Sequence, residues 1–315
     1  MRLAAGPFPT FAVHCPATML PEFKSRRVPA GDVEIHLRIA GDGPPLLLLH
    51  GYPQTHLMWH KIAPRLAQEF TLVLADLRGY GDSSKPPGGE SHANYSKRVM
   101  AGDQVEVMRR LGFERFAVAG HDRGGRVVHR MALDHPGAVE RAAVLDIAPT
   151  LTMYERTDMR FASAYYHWFF LIQPADLPER MIGADPDFYL ERKIGAWSKI
   201  DGCFDPEALA EYKRCFGNAD AIHASCEDYR AAASIDLEHD RADLDKRIEC
   251  PLLVLWGARG VMQCCYDVLA VWRERASKVQ GQALPCGHFL AEEAPEETLA
   301  ELRRFFGASG LRRAH

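Results

Sequence analysis

The chain has 315 residues, of which 47% are hydrophobic and 25% are charged, and its formal net charge is −4. A chain of this length can bury one large core, or one core with an inserted lobe, without a metal or a disulfide. The small negative charge gives no electrostatic case for nucleic acid or an anionic membrane, so neither is expected as a partner and any attraction for an anion must be local.

The first residues are expected to form a loose extension, taken to cover residues 1–25. Pro7 and Pro9 break the apolar run near the start of the chain. The run therefore stays well short of a signal-peptide core or a membrane span.

Metal-binding residues show no grouping that predicts a metal or a cofactor. The eight cysteines have no C-x-x-C spacing, which argues against a disulfide framework or a zinc site and favours the reducing cytoplasm. His56 and His60 stand at i and i+4, but no third ligand accompanies them.

Five short apolar runs predict strands buried on both faces of a parallel sheet. One run alone could equally be a buried helix segment, but the repetition, with helical periods at 100–111 and 127–133, favours strands. This alternation predicts an α/β fold, a mostly parallel sheet flanked by helices, with ligand groups at the carboxyl ends of the strands. The runs are residues 46–49, 71–76, 116–120, 142–146 and 252–257.

The alternation stops for about a hundred residues, between Asp146 and Pro251. This stretch is rich in aromatic residues with helical spacing, whereas a linker would be polar and rich in Pro, Gly or Ser. It predicts a helical cap, residues 151–245, inserted over the strand ends. The core is then formed by residues 1–150 and 246–315.

The run AGHDRGG, residues 119–125, is typical of a strand-to-helix turn around a nucleophile. Gly120 and Gly124 flank Asp122 as in the hydrolase pattern G-x-S-x-G, where the central residue is serine. A carboxylate suits displacement at saturated carbon, because it attacks without losing a proton. Asp is also a favoured helix N-cap, so a purely structural role stays open from this run alone.

Two other turns offer partners for Asp122. The HGYP turn, residues 50–53, places the Tyr52 N–H where a hydrolase donates one hydrogen bond of an oxyanion hole; the second donor is the N–H of Arg123. His288 has the late chain position of the general base, although a lone His is more often structural.

Asp146 is the candidate acid that orients His288. An orienting acid usually follows the strand predicted at 252–257, but the next residues, GARGV, contain no carboxylate. Asp146 stands at the tip of the preceding strand, from which it can reach the same imidazole. A solvated loop Asp or a cap is the structural alternative.

The arginines Arg123 and Arg126 are three residues apart and so lie on one helix face. Each offers planar, forked donors to a carboxylate, which would offset the repulsion between an anionic substrate and Asp122. A pair of surface salt bridges is the alternative.

Seven segments together carry a family resemblance: HGYPQTHLMWH, DLRGYGDS, GHDRGGR, VLDIAPT, YHWFF, CEDYRA and CGHFLAEEAPE. In them the chain resembles the fluoroacetate dehalogenases, a branch of the α/β-hydrolase superfamily, over roughly residues 30–307. Tyr52 stands where Phe is commoner, and Gly125 where Ala is usual.

The resemblance implies hydrolysis of a small haloacid, fluoroacetate or chloroacetate, to glycolate and halide through an aspartyl ester. It also implies a homodimer. The implied roles are nucleophile for Asp122, base for His288, its partner for Asp146, carboxylate binding for Arg123 and Arg126, and halide binding for His167, Trp168 and Tyr229. Aromatic packing is the alternative for the last three.

Three other functions stay open. An epoxide hydrolase uses the same triad with cap tyrosines, and Tyr165, Tyr166 and Tyr229 are candidates for them. A haloalkane dehalogenase shares the nucleophile but has Trp where this chain has Arg123. A non-catalytic receptor for a small carboxylate is disfavoured because the base and its acid are retained.

Overall fold

The five predicted apolar runs are all strands of one sheet. The computed structural model describes residues 19–307, and the strands in this range are β1 (Lys24–Ala30), β2 (Val33–Ala40), β3 (Pro45–Leu49), β4 (Thr71–Ala75), β5 (Phe116–His121), β6 (Val139–Leu145), β7 (Leu252–Gly257) and β8 (Val279–Leu284). They pair in the order β1-β2-β4-β3-β5-β6-β7-β8. β2 is antiparallel to β1 and to β4, and the other pairs are parallel. The predicted α/β fold with a mostly parallel sheet is confirmed.

The helices fill the connections between the strands. α2 begins at a Ser96 cap, whose side chain accepts a hydrogen bond from the Val99 N–H at 3.3 Å. Within residues 19–307 the helices are α1 (Ala63–Leu66), α2 (Lys97–Arg110), α3 (Arg123–Asp134), α4 (Thr150–Glu155), α5 (Met159–Ala164), α6 (His167–Phe170), α7 (Leu177–Gly183), α8 (Pro186–Trp197), α9 (Pro206–Phe216), α10 (Ala219–Ala232), α11 (Ile235–Ala242), α12 (Val261–Cys265), α13 (Val268–Arg273), α14 (Leu290–Glu293), α15 (Pro295–Gly307) and two 3-10 helices, His56–Trp59 and Glu90–Tyr95.

The central strands are buried because helices cover both their faces. All five residues of β3 and all five of β4 are buried, which explains their unbroken apolar sequence. β1 and β8 are the two edges of the sheet and expose several side chains. β1, β2 and β8 have no continuous apolar run, and the sequence patterns did not predict them.

Eight helices, α4–α11, occupy the chain between β6 and β7, where a helical insertion was predicted. They run from Thr150 to Ala242, close to the predicted limits of 151 and 245. The division into a core and a cap domain stays a prediction. What matters for the site is that the insertion leaves at the carboxyl end of β6, directly after Asp146, and that the chain returns through β7, the parallel neighbour of β6 in the sheet.

The prediction of a loose extension over residues 1–25 is wrong for its last seven residues, 19–25. Leu20 and Phe23 are buried, and Arg38 donates a hydrogen bond to the Leu20 carbonyl at 2.7 Å. β1 begins at Lys24 and pairs with β2. Apolar side chains therefore attach this segment to the sheet, and residues 1–18 lie outside the described part.

No helix between residues 19 and 307 is both long and apolar enough to cross a bilayer.

Candidate active site

Asp122 occupies the sharp turn between β5 and α3. Its backbone has φ 46° and ψ −112°, a conformation that costs a non-glycine residue free energy. The turn fits only because its neighbours are small: a Cβ on Gly120 would lie 2.4 Å from the Gly124 backbone, and one on Gly124 would lie 2.4 Å from the His50 carbonyl oxygen. The Asp122 side chain does not cap α3, so the alternative of a simple helix cap is wrong.

The two carboxylate oxygens of Asp122 have different neighbours. Oδ1 accepts a hydrogen bond from the Tyr52 N–H, which follows β3, at 3.0 Å. Oδ2 lies 4.0 Å from Nε2 of His288. Arg123 opens α3 directly after Asp122, and its N–H as a second donor stays a prediction. One oxygen is therefore held by the backbone and the other faces the imidazole.

The charge state of Asp122 suits a nucleophile. Burial raises the pKa of the carboxyl group, but the nearby His288, His121 and arginine side chains outweigh burial, and the pKa ends below its usual value. Asp122 is thus ionised at neutral pH, although it is only 5% exposed.

His288 and Asp146 form a tight pair beside Asp122. The Nδ1–H of His288 donates to Oδ2 of Asp146 at 2.6 Å, and Oδ1 of Asp146 accepts from the Gly257 N–H at 2.9 Å. This leaves Nε2 of His288 without a hydrogen-bond partner among the described residues and directed towards Asp122. The three side chains have the geometry of nucleophile, base and orienting acid.

The pKa of His288 is raised above its usual value. Burial lowers it, but the hydrogen bond and the charge of Asp146, followed by the charge of Asp122, more than offset burial. The imidazole therefore takes up a proton readily, which a general base must do.

Arg123 is fully buried and points into the inserted helices. Its Nε donates to Oδ2 of Asp228 at 2.7 Å and its Nη2 to Oδ1 of Asp228 at 2.9 Å. The guanidinium lies 4.1 Å over the Tyr229 ring. Its Nη1 has no hydrogen-bond partner among residues 19–307. The alternative of a surface salt bridge is therefore wrong for Arg123.

Arg126 is also buried, at 3% exposure. Nη1 donates to the Thr150 hydroxyl at 2.9 Å and Nη2 to the Met153 sulfur at 3.2 Å, while Nε lacks a partner in the described chain. Burial lowers the pKa of Arg126 and the charge of Arg123 lowers it further. An anion between the two arginines would relieve both effects.

The residues predicted to hold the halide lie together. The ring centroid of Tyr229 is 5.5 Å from that of His167 and 6.4 Å from that of Trp168. The Tyr229 hydroxyl and Nδ1 of His167 are buried and have no hydrogen-bond partner within residues 19–307. Burial, followed by nearby cations, holds the pKa of His167 well below its usual range, so the imidazole is neutral.

Asp228 is a residue of the site that the sequence patterns missed. It is fully buried on α10, and its carboxylate accepts hydrogen bonds from Arg123, from the Tyr80 hydroxyl at 2.7 Å and from Lys97. Because Tyr80 and Lys97 also donate to the Asp228 carboxylate, this carboxylate is fixed in place and holds Arg123 in one orientation. The place of Asp228 directly before Tyr229, within the segment CEDYRA that carries the family resemblance, was the available signal.

Two further residues that contact His288, namely His121 and Tyr165, were not predicted to do so. Nε2 of His121 lies 2.8 Å from the His288 carbonyl oxygen, and burial, then the His288 charge, lowers the pKa of His121 to about 3. A neutral His121 donates this hydrogen bond and holds the loop. The Tyr165 hydroxyl lies 3.4 Å from Nδ1 of His288.

A potential metal-binding group exists, but its ligand atoms are already paired. Among the described residues, the one cluster that could hold an ion is His36, His56 and Asp76. Nδ1 of His36 and Nδ1 of His56 lie 2.8 and 2.9 Å from the Asp76 carboxylate. His60 does not join the cluster, because its Nδ1 lies 2.8 Å from the Leu57 carbonyl.

Comparison with known proteins agrees with this architecture. A family model described as the alpha/beta hydrolase fold matches residues 44–295. A fluoroacetate dehalogenase of Burkholderia sp is 52% identical over 91% of this chain and 95% of its own length, and a soluble epoxide hydrolase of Corynebacterium sp. (strain C12) is 34% identical over 86% and 93%. A solved structure from Nostoc sp PCC 7120, assigned to the α/β hydrolases, is 61% identical with a TM-score of 0.91, covering 92% of this chain and 100% of that chain.

These similarities span the strands, the Asp122 turn and the inserted helices alike, since each covers most of the chain. The resemblance to the fluoroacetate dehalogenases that the motifs predicted is confirmed. The protein therefore belongs to the α/β hydrolase family.

Proposed function

We propose that the protein hydrolyses haloacetates, fluoroacetate and chloroacetate among them, to glycolate and halide through an ester on Asp122. The observation that carries this proposal is an ionised carboxylate at the turn, beside two buried guanidinium groups that each keep an unpartnered N–H. The 52% identical fluoroacetate dehalogenase supports the same substrate class.

The first step is displacement of the halide. Oδ2 of Asp122 attacks the carbon that bears the halogen, so a C–O bond forms while the carbon–halogen bond breaks. The substrate carboxylate and Asp122 repel each other by roughly 4 kcal/mol at about 4 Å and an effective dielectric of about 20. Nη1 of Arg123 and Nε of Arg126 are the donors that would hold the substrate carboxylate and offset this repulsion.

The leaving halide needs hydrogen-bond donors as its charge develops. Neutral N–H and O–H groups of His167, Trp168 and Tyr229 are proposed to provide them. Neutral donors stabilise the ion without retaining it, as a fixed positive charge would. The unpartnered hydroxyl of Tyr229 supports this assignment.

The second step is hydrolysis of the ester. Nε2 of His288 takes a proton from a water molecule, which attacks the Asp122 carbonyl carbon, and Asp146 stabilises the imidazolium. The Tyr52 N–H already donates to Oδ1, where the oxyanion forms. The bond between the carbonyl carbon and the glycolate oxygen then breaks, and glycolate takes the proton from His288. The Asp122 carboxyl group keeps the other proton of the water and releases it to solvent, which restores the carboxylate.

An epoxide hydrolase activity is the second candidate. The unpartnered Tyr229 hydroxyl and the nearby Tyr165 could activate an epoxide oxygen, and one relative is a soluble epoxide hydrolase. An epoxide is neutral, however, and gives the buried arginine pair no partner. The dehalogenase is therefore preferred.

A halide-release assay tests the proposal. Fluoroacetate, chloroacetate and bromoacetate, each incubated with the protein and without added metal or cofactor, are expected to yield halide and glycolate in equal amounts. Styrene oxide is the comparison substrate. Hydrolysis of styrene oxide without halide release from any haloacetate would replace the dehalogenase by the epoxide hydrolase.

Asp228→Asn is expected to weaken haloacetate binding by orienting Arg123 less firmly. Removing one member of a buried, hydrogen-bonded ion pair costs about 3–5 kcal/mol, part of it as stability. We expect KM to rise at least about tenfold with a smaller change in kcat. Asp103→Asn breaks the buried pair with Arg78 elsewhere, and is the control. It should lower Tm but leave KM unchanged, and an equal KM for both variants would contradict the role of Asp228.

A further inference from the structure

A cavity of about 440 Å³ opens between the inserted helices and the loop after β7 and reaches His288 at its inner end. It is lined by parts of α5, α8 and α12, and Tyr165 and Trp197 belong to its wall together with His288. Several times the size of a two-carbon acid, it gives such a molecule room outside the proposed catalytic position. The charged residues of its wall are Arg160, Arg192, Lys193, Lys199 and Arg259.

The wall of the cavity carries five basic side chains. The lining residues include no Asp or Glu. Within residues 19–307, none of the five cations makes a salt bridge; Arg160 and Lys199 donate to the carbonyls of Cys264 and Ala196. By contrast, Arg123 and Arg78 are paired with carboxylates. A chain with a net charge of −4 thus gathers five basic side chains that lack a salt bridge at one opening.

Lys193 is the unusual member of this group, because it is only 2% exposed. Its ammonium group lies 3.3 Å from the centre of the Tyr166 ring, and the Tyr189 and Trp197 rings are next, at 5.4 and 5.5 Å. Aromatic faces attract a cation but do not neutralise it. Burial lowers the pKa of Lys193 to about 7, and a bound anion would offset that loss of hydration.

We propose that this cavity is an outer anion site, in which the carboxylate of an incoming haloacetate binds beside Lys193 and Arg259 before it passes to Arg123 and Arg126. The site raises the local concentration of a small carboxylate next to the reacting groups, although the protein as a whole is acidic. This inference rests on the proposed dehalogenase function, since it assumes an anionic substrate.

The test compares kinetic constants for chloroacetate at about pH 6.5, where most Lys193 side chains carry a positive charge. Lys193→Met keeps most of the length of the side chain and removes the charge, and Arg259→Gln removes the charge at an exposed position. Each is expected to raise KM roughly fivefold, with kcat within about twofold of the wild type. Lys193→Arg should restore the wild-type KM.

The control is Lys278→Met, which removes one positive charge just before β8, at the edge of the sheet opposite the Asp122 turn. It should leave KM unchanged. Acetate, which cannot react, should inhibit competitively, with an inhibition constant that rises in Lys193→Met by the same factor as KM.

The outer site is overturned if Lys193→Met and Arg259→Gln, both folded by circular dichroism, keep the KM of Lys278→Met. It is also overturned if Lys193→Arg is as impaired as Lys193→Met, because packing rather than charge would then matter. A wild-type protein that releases no halide from any haloacetate overturns the proposed function instead, whatever these variants do.

Discussion

Asp122→Asn is expected to abolish halide release from every haloacetate, by at least about a thousandfold. An amide oxygen is a far weaker nucleophile than a carboxylate and cannot form a stable ester. The variant should fold, because Asn tolerates the positive φ of 46° at this turn as well as Asp does. It should also still bind the substrate, since Arg123 and Arg126 are unchanged. A Tm close to the wild-type value and retained acetate binding would separate loss of chemistry from loss of structure.

The covalent step itself can be observed in the wild-type protein. In a single turnover in ¹⁸O-labelled water with excess enzyme, the heavy oxygen should enter the Asp122 carboxylate, because water attacks the ester carbonyl. Mass spectrometry of the peptide that carries Asp122 measures this label. Label found directly in glycolate and absent from Asp122 would rule out the ester and favour attack by water on the substrate.

The five strands β3–β7 could be predicted because a strand that is buried on both faces has a nearly unbroken apolar sequence. The run Leu46–Leu49 is apolar without interruption, since helices cover both sides of β3. β1 reads KSRRVPA and β8 reads VQGQAL, because each is an edge strand with solvent on part of its surface. No periodicity rule separates such edges from loops.

The same reasoning explains which site residues could be found. Asp122, Asp146 and His288 all follow strands, and strand order alone brings the carboxyl ends of parallel strands to one edge. Asp228 and Lys193 lie on inserted helices, whose orientation no strand order determines. Charged residues on helices are usually solvated, so their burial becomes visible only in the tertiary structure.

His288→Asn is expected to separate the two halves of the reaction. Displacement of the halide uses the Asp122 carboxylate and needs no base, so one equivalent of halide per chain should still be released. Hydrolysis of the ester requires Nε2 of His288, and should slow by about a hundredfold or more. The protein would then accumulate a carboxymethyl ester on Asp122, visible by intact mass and by the mass of the peptide.

The matched control is His129→Asn, a buried histidine whose ring packs against Trp272 at 5.2 Å. It should keep multiple turnover and show no adduct.

In the wild type, the raised pKa of His288 sets the sign of the pH dependence. The imidazolium below that pKa cannot accept a proton from water, so ester hydrolysis speeds up as the pH rises through it. If His288→Asn both accumulates the ester and loses the rise of ester hydrolysis with pH, the two effects belong to the His288 imidazole. Full turnover by the variant would remove His288 from the mechanism.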